Sequence, residues 1–220
     1  MVLYTLPLGP GTSRLKTAVT GPVLWLVRHG ESTWNALGLA QGQSDQPRLT
    51  GRGALQARYV ANQLRSLPIG AVYASDLRRA VATAAPLAAA LTLDVTRDPR
   101  LRERSLGLLE GTPSVDVPAA ISGVAGDRVI DPDARPPDGE SLRDLYWRVA
   151  GFADDLLAAC QPGRPGQVAL VAHGGTLRAL RSYLRGVPPE RMSWEPIGNG
   201  TIVRLPLQPH VPPIHERNNR

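Results

Sequence analysis

The sequence predicts an α/β protein: a three-layer α/β/α sandwich around a mainly parallel central sheet. Short apolar runs alternate along the chain with longer segments of helical periodicity. Such alternation is typical of parallel strands whose two faces are covered by helices. The 220 residues are 42% hydrophobic and 20% charged, which is ordinary for a globular domain and argues against a disordered or fibrous chain.

Five apolar runs are the predicted strands. Three of them, at 23–27, 71–74 and 168–172, are almost wholly apolar, as expected for strands buried on both faces. A fourth strand is predicted at 201–205 and a fifth at 93–95.

Four helices are predicted in the intervals between the strands, at 52–66, 77–91, 141–157 and 175–184. Ser141 and Asp144 form a capping-box-like pair at the start of the third helix. Gly186 and Pro188 mark the end of the fourth helix.

The two ends of the chain lack periodicity, so we expect loosely ordered tails at 1–21 and 207–220 around one domain at 22–206. The first cation, Arg14, follows rather than precedes an apolar segment, unlike a secretory signal. The longest apolar stretch, 81–93, contains Pro86 and is shorter than the ~18 residues that span a bilayer. We therefore expect a cytoplasmic protein that does not bind membranes.

The single cysteine, Cys160, excludes an internal disulfide framework and a multi-cysteine zinc site. Its place at the end of an apolar helical pattern favours a small buried side chain over a nucleophile.

The formal net charge of +6 raises the question of nucleic-acid binding. Part of this excess lies in the tails, and the chain has no run of cations and only ten aromatic residues on which bases could stack. We therefore expect no nucleic-acid partner. Nearly all cations are arginine, which base composition of the gene explains as well as phosphate binding does.

Two His-Gly pairs follow two of the predicted strands. His29 comes directly after the first strand and His173 after the strand at 168–172. A lone histidine of this kind is more often a packed or loop residue. Because parallel strands end at one edge of a sheet, where such proteins bind ligands, two histidines placed alike favour a site. The other two histidines, His210 and His215, lie in the C-terminal tail.

Arg78 and Arg79 come shortly after the predicted strand at 71–74 and lie in the first turn of the next helix, at the same edge of the sheet. Cations at a helix N-terminus oppose the helix dipole, so an anion bound there would explain them. A solvated pair is the alternative, and we prefer it for Arg78.

Arg28, beside His29, and Arg79 argue against a metal site, because guanidinium groups cannot lose their protons to make room for a cation. Arginine forks and imidazolium donors converging on one place instead describe a phosphate pocket. No metal or other cofactor is expected.

Five blocks of sequence resemble the histidine phosphatase, or phosphoglycerate mutase-like, superfamily, over about residues 23–205. The blocks, in family order, are Arg28-His29-Gly30, Ser75-Asp76-Leu77-Arg78-Arg79-Ala80 with Thr83, Leu101-Arg102-Glu103 with Leu106-Gly107 and Glu110-Gly111, Gly139-Glu140-Ser141, and Val171-Ala172-His173-Gly174. The resemblance implies the phosphoglycerate mutase-like fold and identifies 22–206 as the family domain.

The resemblance also implies catalytic roles. His29 would be the nucleophile, attacking phosphorus to give a phosphohistidine that water hydrolyses. Arg28, Arg79 and His173 would bind the phosphate oxygens and offset charge in the transition state. Asn35 and the Gly174 N–H would add neutral donors.

Glu103 matches the family's proton donor to the leaving group, a role for which its carboxyl group must be protonated. An ordinary surface glutamate among neighbouring arginines is the alternative. Gln41 and Gly42 occupy a turn that contacts substrate in the family, whereas Glu31 and Glu140 are assigned to local hydrogen bonds or the pocket rim.

Two departures from the family concern specificity. Leu108 and Leu109 stand where the family often has an aromatic residue, which predicts a more aliphatic wall beside Glu103. The segment 112–136, where relatives usually have substrate-covering helices, has little helical periodicity.

We interpret the chain as a metal-independent phosphomonoesterase that acts on a small phosphate ester. A cofactor-dependent phosphoglycerate mutase is the alternative in chemistry, and a non-catalytic phosphate-ester-binding protein is the alternative in class. The short segment 112–136, with two arginines against four aspartates, favours hydrolysis because it is poorly suited to hold a bisphosphate. Whether the chain forms a homodimer stays open.

Overall fold

The computed structural model describes residues 23–117, 122–159 and 166–207. The predicted N-terminal tail, Cys160, His210 and His215 lie outside these ranges. Leu207, which the sequence analysis assigned to the C-terminal tail, is buried in the core.

Seven strands are present in the described residues, and five of them form the central sheet. The strands are β1 (Val23–Arg28), β2 (Ile69–Ala74), β3 (Val95–Arg97), β4 (Val124–Ala125), β5 (Arg128–Val129), β6 (Gln167–Ala172) and β7 (Ile202–Pro206). The order across the sheet is β3, β2, β6, β1 and β7, with β7 antiparallel to β1 and the other pairs parallel. The predicted mainly parallel sheet is confirmed.

Helices cover both faces of the sheet. They are α1 (Thr33–Ala36), α2 (Gly51–Leu64), α3 (Arg78–Leu91), α4 (Leu142–Ala159) and α5 (Gly174–Leu184). The side chains of α2 and α3 pack in one buried cluster with one face of the sheet, and those of α4 and α5 pack with the other face. The protein is therefore the predicted three-layer sandwich.

Side-chain caps explain where two of the helices begin. The Thr50 hydroxyl accepts a hydrogen bond from the Gly53 N–H at 3.0 Å, at the start of α2. Ser141 and Asp144 exchange the reciprocal bonds of a capping box, with N–O distances of 2.8 and 3.0 Å. These bonds satisfy backbone donors that have no partner inside the helix.

Alternation along the strands divides the apolar side chains between two cores. Leu24, Leu26 and Leu170 belong to the cluster beneath α4 and α5. Val27 and Val171 belong to the cluster beneath α2 and α3. Because successive side chains of a strand point to opposite faces, an uninterrupted apolar run supplies both cores.

The structure differs from the predicted elements at three places. The strand predicted at 93–95 lies at Val95–Arg97, where it pairs with β2. The β4–β5 hairpin and the short helix α1 were not predicted. Within the described ranges, no helix is long and apolar enough to cross a membrane.

Two glycines join the loop after β1 to the start of α2. A Cβ atom on Gly30 would lie 2.4 Å from the carbonyl oxygen of Gly53, and a Cβ atom on Gly53 would lie 2.0 Å from that of Glu31. The two backbones therefore touch, and this contact fixes the segment that carries His29.

We predict that Gly53→Ala destabilises the protein by about 1–3 kcal/mol, because the added methyl group meets backbone that cannot rotate away. Gly51→Ala is the matched control in the same helix, since nothing lies within 4 Å of its Cβ position. Equilibrium unfolding in urea measures both changes. Equal stability of the two variants would contradict the contact.

Candidate active site

The pairing of β1 with β6 brings the two histidines of the His-Gly pairs together. Arg28 is opposite Ala172 in this parallel pair, so the next residues, His29 and His173, leave the sheet side by side. Their ring centroids are 5.0 Å apart. The predicted meeting of both imidazoles at one edge is what the structure shows.

His29 is buried and its tautomer is set by its neighbour. Its Nδ1 lies 2.7 Å from the Gly30 carbonyl oxygen, which can only accept, so Nδ1 carries the proton. Burial, together with the charges of Arg79 and Arg28, holds the pKa of His29 well below its usual value. The Nε2 lone pair is therefore available at neutral pH.

His173 is also buried, and its Nε2 lies 2.9 Å from the Ser75 hydroxyl. Its Nδ1 is buried without a hydrogen-bond partner among the described residues. Burial and the charge of Arg79 hold the pKa of His173 well below its usual value. His173 is therefore neutral in the folded protein at neutral pH, whereas an imidazolium was expected from the sequence.

Arg79 lies in the first turn of α3 and is only 1% exposed. It donates to the carbonyl oxygens of Gly42 at 2.8 Å and Ser44 at 2.7 Å, and its Nε has no partner among the described residues. Burial lowers its pKa to about 10, which still leaves it charged at neutral pH.

Arg28 is the second cation of the pocket. It donates to the Ile197 carbonyl oxygen, and its Nε is buried without a partner in the described part of the chain. Burial lowers the pKa of this guanidinium group as well. By contrast, Arg78 forms an exposed ion pair with Asp45, and its Nε lies 3.0 Å from a carboxylate oxygen. This agrees with the solvated role that the sequence analysis preferred for Arg78.

Asn35, in α1, and the loop residues Gln41 and Gly42 line the same cavity, as expected. The Asn35 side-chain oxygen accepts from Asn199 Nδ2 at 3.0 Å, which leaves its amide nitrogen to donate. Asn199 also donates to the His29 carbonyl oxygen at 3.0 Å. Sequence analysis missed Asn199, because it lies in an irregular segment 170 residues from His29.

Glu103 lines the same cavity as His29, and two backbone donors hold its carboxylate there. Its carboxylate oxygens accept from the Arg104 N–H and the Gly175 N–H, both at 2.9 Å. A Cβ atom at position 175 would lie 2.3 Å from the carboxylate, so a larger residue there would displace the Glu103 side chain from this position. The structure thus places Glu103 in the cavity rather than on the surface.

Arg104, beside Glu103, is buried and was not predicted as part of the site. Its guanidinium group donates to the carbonyl oxygens of Glu140 at 2.6 Å, Ala134 at 2.8 Å, and Ser122. It therefore fastens the segment that covers the cavity. Burial lowers its pKa to about 10.

The cavity has a volume of about 530 Å³. Its outer wall is formed by partly exposed apolar side chains: Trp34, Leu39, Leu106, Val117, Val124 and Trp194. The expected wall of Leu108 and Leu109 is wrong, since neither lines the cavity and Leu108 is 70% exposed. The backbone turn before Glu110 directs Leu106 inward instead.

Gly174, predicted to contribute a donor, opens α5 directly after His173 but is not among the residues that line the cavity. Glu31 and Glu140 make the local bonds assigned to them. Glu31 accepts from the Thr50 hydroxyl at 2.8 Å, and Glu140 pairs with Arg148 at 2.7 Å.

A phosphate-sized anion fits the chemistry of this pocket better than a metal ion does. Two guanidinium groups and two neutral imidazoles converge, and no cluster of three or more potential metal ligands occurs within the described ranges. Together, the fold and the site define an α/β protein with a positively charged pocket at the carboxyl edge of its sheet.

A comparison with protein families assigns this class more closely. Residues 24–220 match the model of the histidine phosphatase superfamily (branch 1). The chain therefore belongs to the histidine phosphatase superfamily.

Relatives carry both phosphatase and mutase names. A curated protein of Enterobacter sp. (strain 638), named "Probable phosphoglycerate mutase GpmB", is 40% identical over 186 residues, which cover 84% of this chain and 85% of that protein. A mycobacterial glucosyl-3-phosphoglycerate phosphatase complexed with VO3 superposes with a TM-score of 0.70 at 31% identity, covering 83% of this chain and 92% of that one. A phosphoserine phosphatase mutant of Entamoeba histolytica, in complex with phosphoserine, gives 0.67 at 27% identity, with coverages of 83% and 89%.

We predict that the buried neutral histidines make stability fall in mild acid. Because the pKa values of His29 and His173 are lowered in the folded state, the unfolded chain binds more protons below its own histidine pKa of ~6.5. Their contribution is complete above that pH and is lost as the pH falls towards the folded pKa. Going from pH 7.5 to 5.5 should cost about 1.4 kcal/mol per histidine.

Urea unfolding at the two pH values measures this loss. His29→Gln is the control, because it removes one of the two titrating groups and should remove about half of the pH effect. An unchanged pH dependence in this variant would show that folding does not lower the pKa of His29.

Proposed function

We propose that this protein is a metal-independent phosphomonoesterase that hydrolyses a small phosphorylated metabolite through a phosphohistidine on His29. The observation that carries the proposal is a set of three buried nitrogen atoms beside that histidine. Arg28 Nε, Arg79 Nε and His173 Nδ1 all lack a hydrogen-bond partner among the described residues. Buried donors without partners are costly, and a bound phosphate would satisfy them.

The three nitrogen atoms match what phosphoryl transfer needs. The transferred group spreads its charge over three equatorial oxygens, and catalysis consists largely of positioning and of offsetting that charge. Two fixed guanidinium groups and one imidazole supply these donors from buried nitrogen atoms. If the Ser75 hydroxyl donates to His173 Nε2, Nδ1 carries the proton that a phosphate oxygen accepts.

His29 has the form that a nucleophile requires. Its proton is on Nδ1, held by the Gly30 carbonyl oxygen, and the Nε2 lone pair is free to attack phosphorus. In the first step a bond forms between Nε2 and phosphorus while the bond from phosphorus to the ester oxygen breaks. Asn199, by binding the backbone of His29, is a positioning residue.

Glu103 completes the reaction as acid and then base. In the first step its carboxyl group gives a proton to the departing alkoxide. In the second step the carboxylate takes a proton from water as that water attacks phosphorus, which releases inorganic phosphate and regenerates His29. The two backbone donors that hold Glu103 fix its distance from the ester oxygen.

Charge in the cavity favours hydrolysis over transfer between phosphoglycerates. A phosphoglycerate or its bisphosphate brings a second anionic group, which needs a cation of its own. Of the three arginines that line the cavity, Arg28 and Arg79 serve the phosphate pocket, while three carbonyl oxygens occupy Arg104. The remaining wall, with Trp34 and Trp194, suits an uncharged organic group.

The phosphoglycerate mutase alternative rests on the name of the 40% identical Enterobacter relative. The solved structures named as phosphatases support hydrolysis instead. A direct comparison of the two reactions is therefore the experiment that tests the proposed function.

We predict that the purified protein releases phosphate from a panel of phosphomonoesters much faster than it interconverts 2- and 3-phosphoglycerate. The measurement compares both rates on one preparation, with and without 2,3-bisphosphoglycerate and in the presence of EDTA. His29→Ala should lose both activities, which assigns them to this site. Interconversion that outruns hydrolysis would favour the mutase, and activity that needs added metal would overturn the metal-independent mechanism.

We also predict that Glu103→Gln slows alkyl phosphates at least tenfold more than p-nitrophenyl phosphate, whose leaving group departs without a proton. Glutamine has only one side-chain oxygen, so one of the two backbone N–H donors loses its acceptor. A fraction of the variant molecules therefore lacks the native pocket. The ratio of the two rates is therefore the readout, because it does not depend on the folded fraction. An unchanged ratio would limit Glu103 to positioning.

A further inference from the structure

A second cleft, outside the active-site cavity, is lined by four arginines. Arg178 and Arg181 lie in α5, Arg185 is the residue that ends this helix as its C-cap, and Arg191 comes from the 3-10 turn at Pro189–Arg191. The cleft has a volume of about 130 Å³ and shares no lining residue with the active-site cavity. The proposed hydrolysis does not use it.

Helical spacing brings Arg178, Arg181 and Arg185 to one side. Intervals of three and four residues place side chains on the same helix face. The only carboxylate that lines the cleft is Glu195, so four positive charges face one negative charge. None of the four arginines forms an ion pair with a described carboxylate, whereas Arg100, Arg143 and Arg148 all do.

Arg178 is held by its neighbours, and Arg181 has a buried nitrogen atom without an acceptor among the described residues. Arg178 donates through Nε to the Glu195 carbonyl oxygen at 2.6 Å, and its guanidinium group stacks on Trp194 at 4.7 Å from the ring centroid. Arg181 is partly buried, and its Nε is enclosed without a hydrogen-bond partner in the described ranges. A buried guanidinium nitrogen without an acceptor is costly, and a bound anion would satisfy it.

We propose that this arginine cleft binds a small tetrahedral oxyanion, a phosphate that is either free or carried on a small molecule. Arginine forks match the oxygen spacing of phosphate, and charge-assisted bonds are the strongest that such a surface offers. One water needs about 10–15 Å³ of such space, so the cleft has room for a phosphate group. The Ser182 and Ser193 side chains line it as well.

The cleft lies close to the active site without being part of it. Arg178 Nη1 is 3.0 Å from the position of a Cβ atom on Gly174, the residue after His173. Arg178 thus stands between the two anion-binding regions. The inference does not depend on hydrolysis, because binding is measured on the resting protein.

Calorimetric titration with inorganic phosphate at 0.15 M salt tests the proposal. The protein itself should bind phosphate in two events, one in the active site and one in the cleft. The double variant Arg181→Ala/Arg185→Ala should weaken one event about tenfold or more and leave the other unchanged. Arg58→Ala/Arg65→Ala removes the same charge from exposed positions on and next to α2, and should keep both events.

Phosphate inhibition of ester hydrolysis identifies the event that belongs to the active site. This inhibition constant should be the same in all three proteins, which also shows that the variants are folded. A single binding event in the unmodified protein, or equal loss in the cleft variant and the control variant, would overturn the cleft. If no ester is hydrolysed, the proposed function is wrong, but the two binding events can still be counted by calorimetry. The experiment therefore tests the cleft independently of the proposed function.

Methylphosphonate, which cannot be hydrolysed, distinguishes the two sources of the anion. If the cleft takes phosphate groups carried on small molecules, methylphosphonate fills it and the Arg181→Ala/Arg185→Ala variant loses that binding. If only free phosphate binds, methylphosphonate leaves the cleft open to phosphate. Both results support the oxyanion site, whereas acetate binding as tightly as phosphate would overturn its tetrahedral selectivity.

Discussion

The parallel pairing of β1 with β6 is the constraint on which the rest of the site depends. These strands lie side by side although about 140 residues separate them along the chain, and their register sets Arg28 opposite Ala172. A slip of one residue would exchange the faces to which the side chains point, and one imidazole would enter the core. Apolar side chains on both faces make such a slip expensive, so the two hydrophobic cores hold the histidines in place.

That arrangement concentrates positive charge where the protein has little water to screen it. Guanidinium groups stay protonated under such conditions, but imidazole does not, because burial and neighbouring charge both favour its neutral form. The same two arginines that would bind a phosphate in the proposed reaction therefore also help burial to keep His29 neutral, the form that the proposed nucleophile needs.

Sequence reasoning succeeded where local pattern and tertiary structure agree. The buried strands, the capped helices and the residues that follow strand ends were all readable, because periodicity and caps are local signals. It failed where long-range contacts decide. Asn199 reaches His29 from a distant irregular segment, and the β4–β5 hairpin has only two residues in each strand, too few for a periodic pattern.

Leu108 and Arg104 are two residues whose burial the sequence did not predict: the apolar residue is exposed and the charged residue is buried. An apolar residue beside the acid was expected to face the cavity, yet the turn that carries Glu110 leaves Leu108 exposed. Arg104 looked like one of several surface cations around Glu103, yet it is buried against three carbonyl oxygens. Which residues of a short irregular segment face inward depends on the residues that pack over them. Sequence periodicity does not predict these contacts.

The position of Arg104 links the covering segment to the chemistry. Its backbone N–H holds the Glu103 carboxylate, and its side chain holds the carbonyl groups of the segment above the cavity. One residue thus ties the position of the Glu103 carboxylate to the backbone of the segment above it, so a change in that segment would be transmitted to the carboxylate through Arg104.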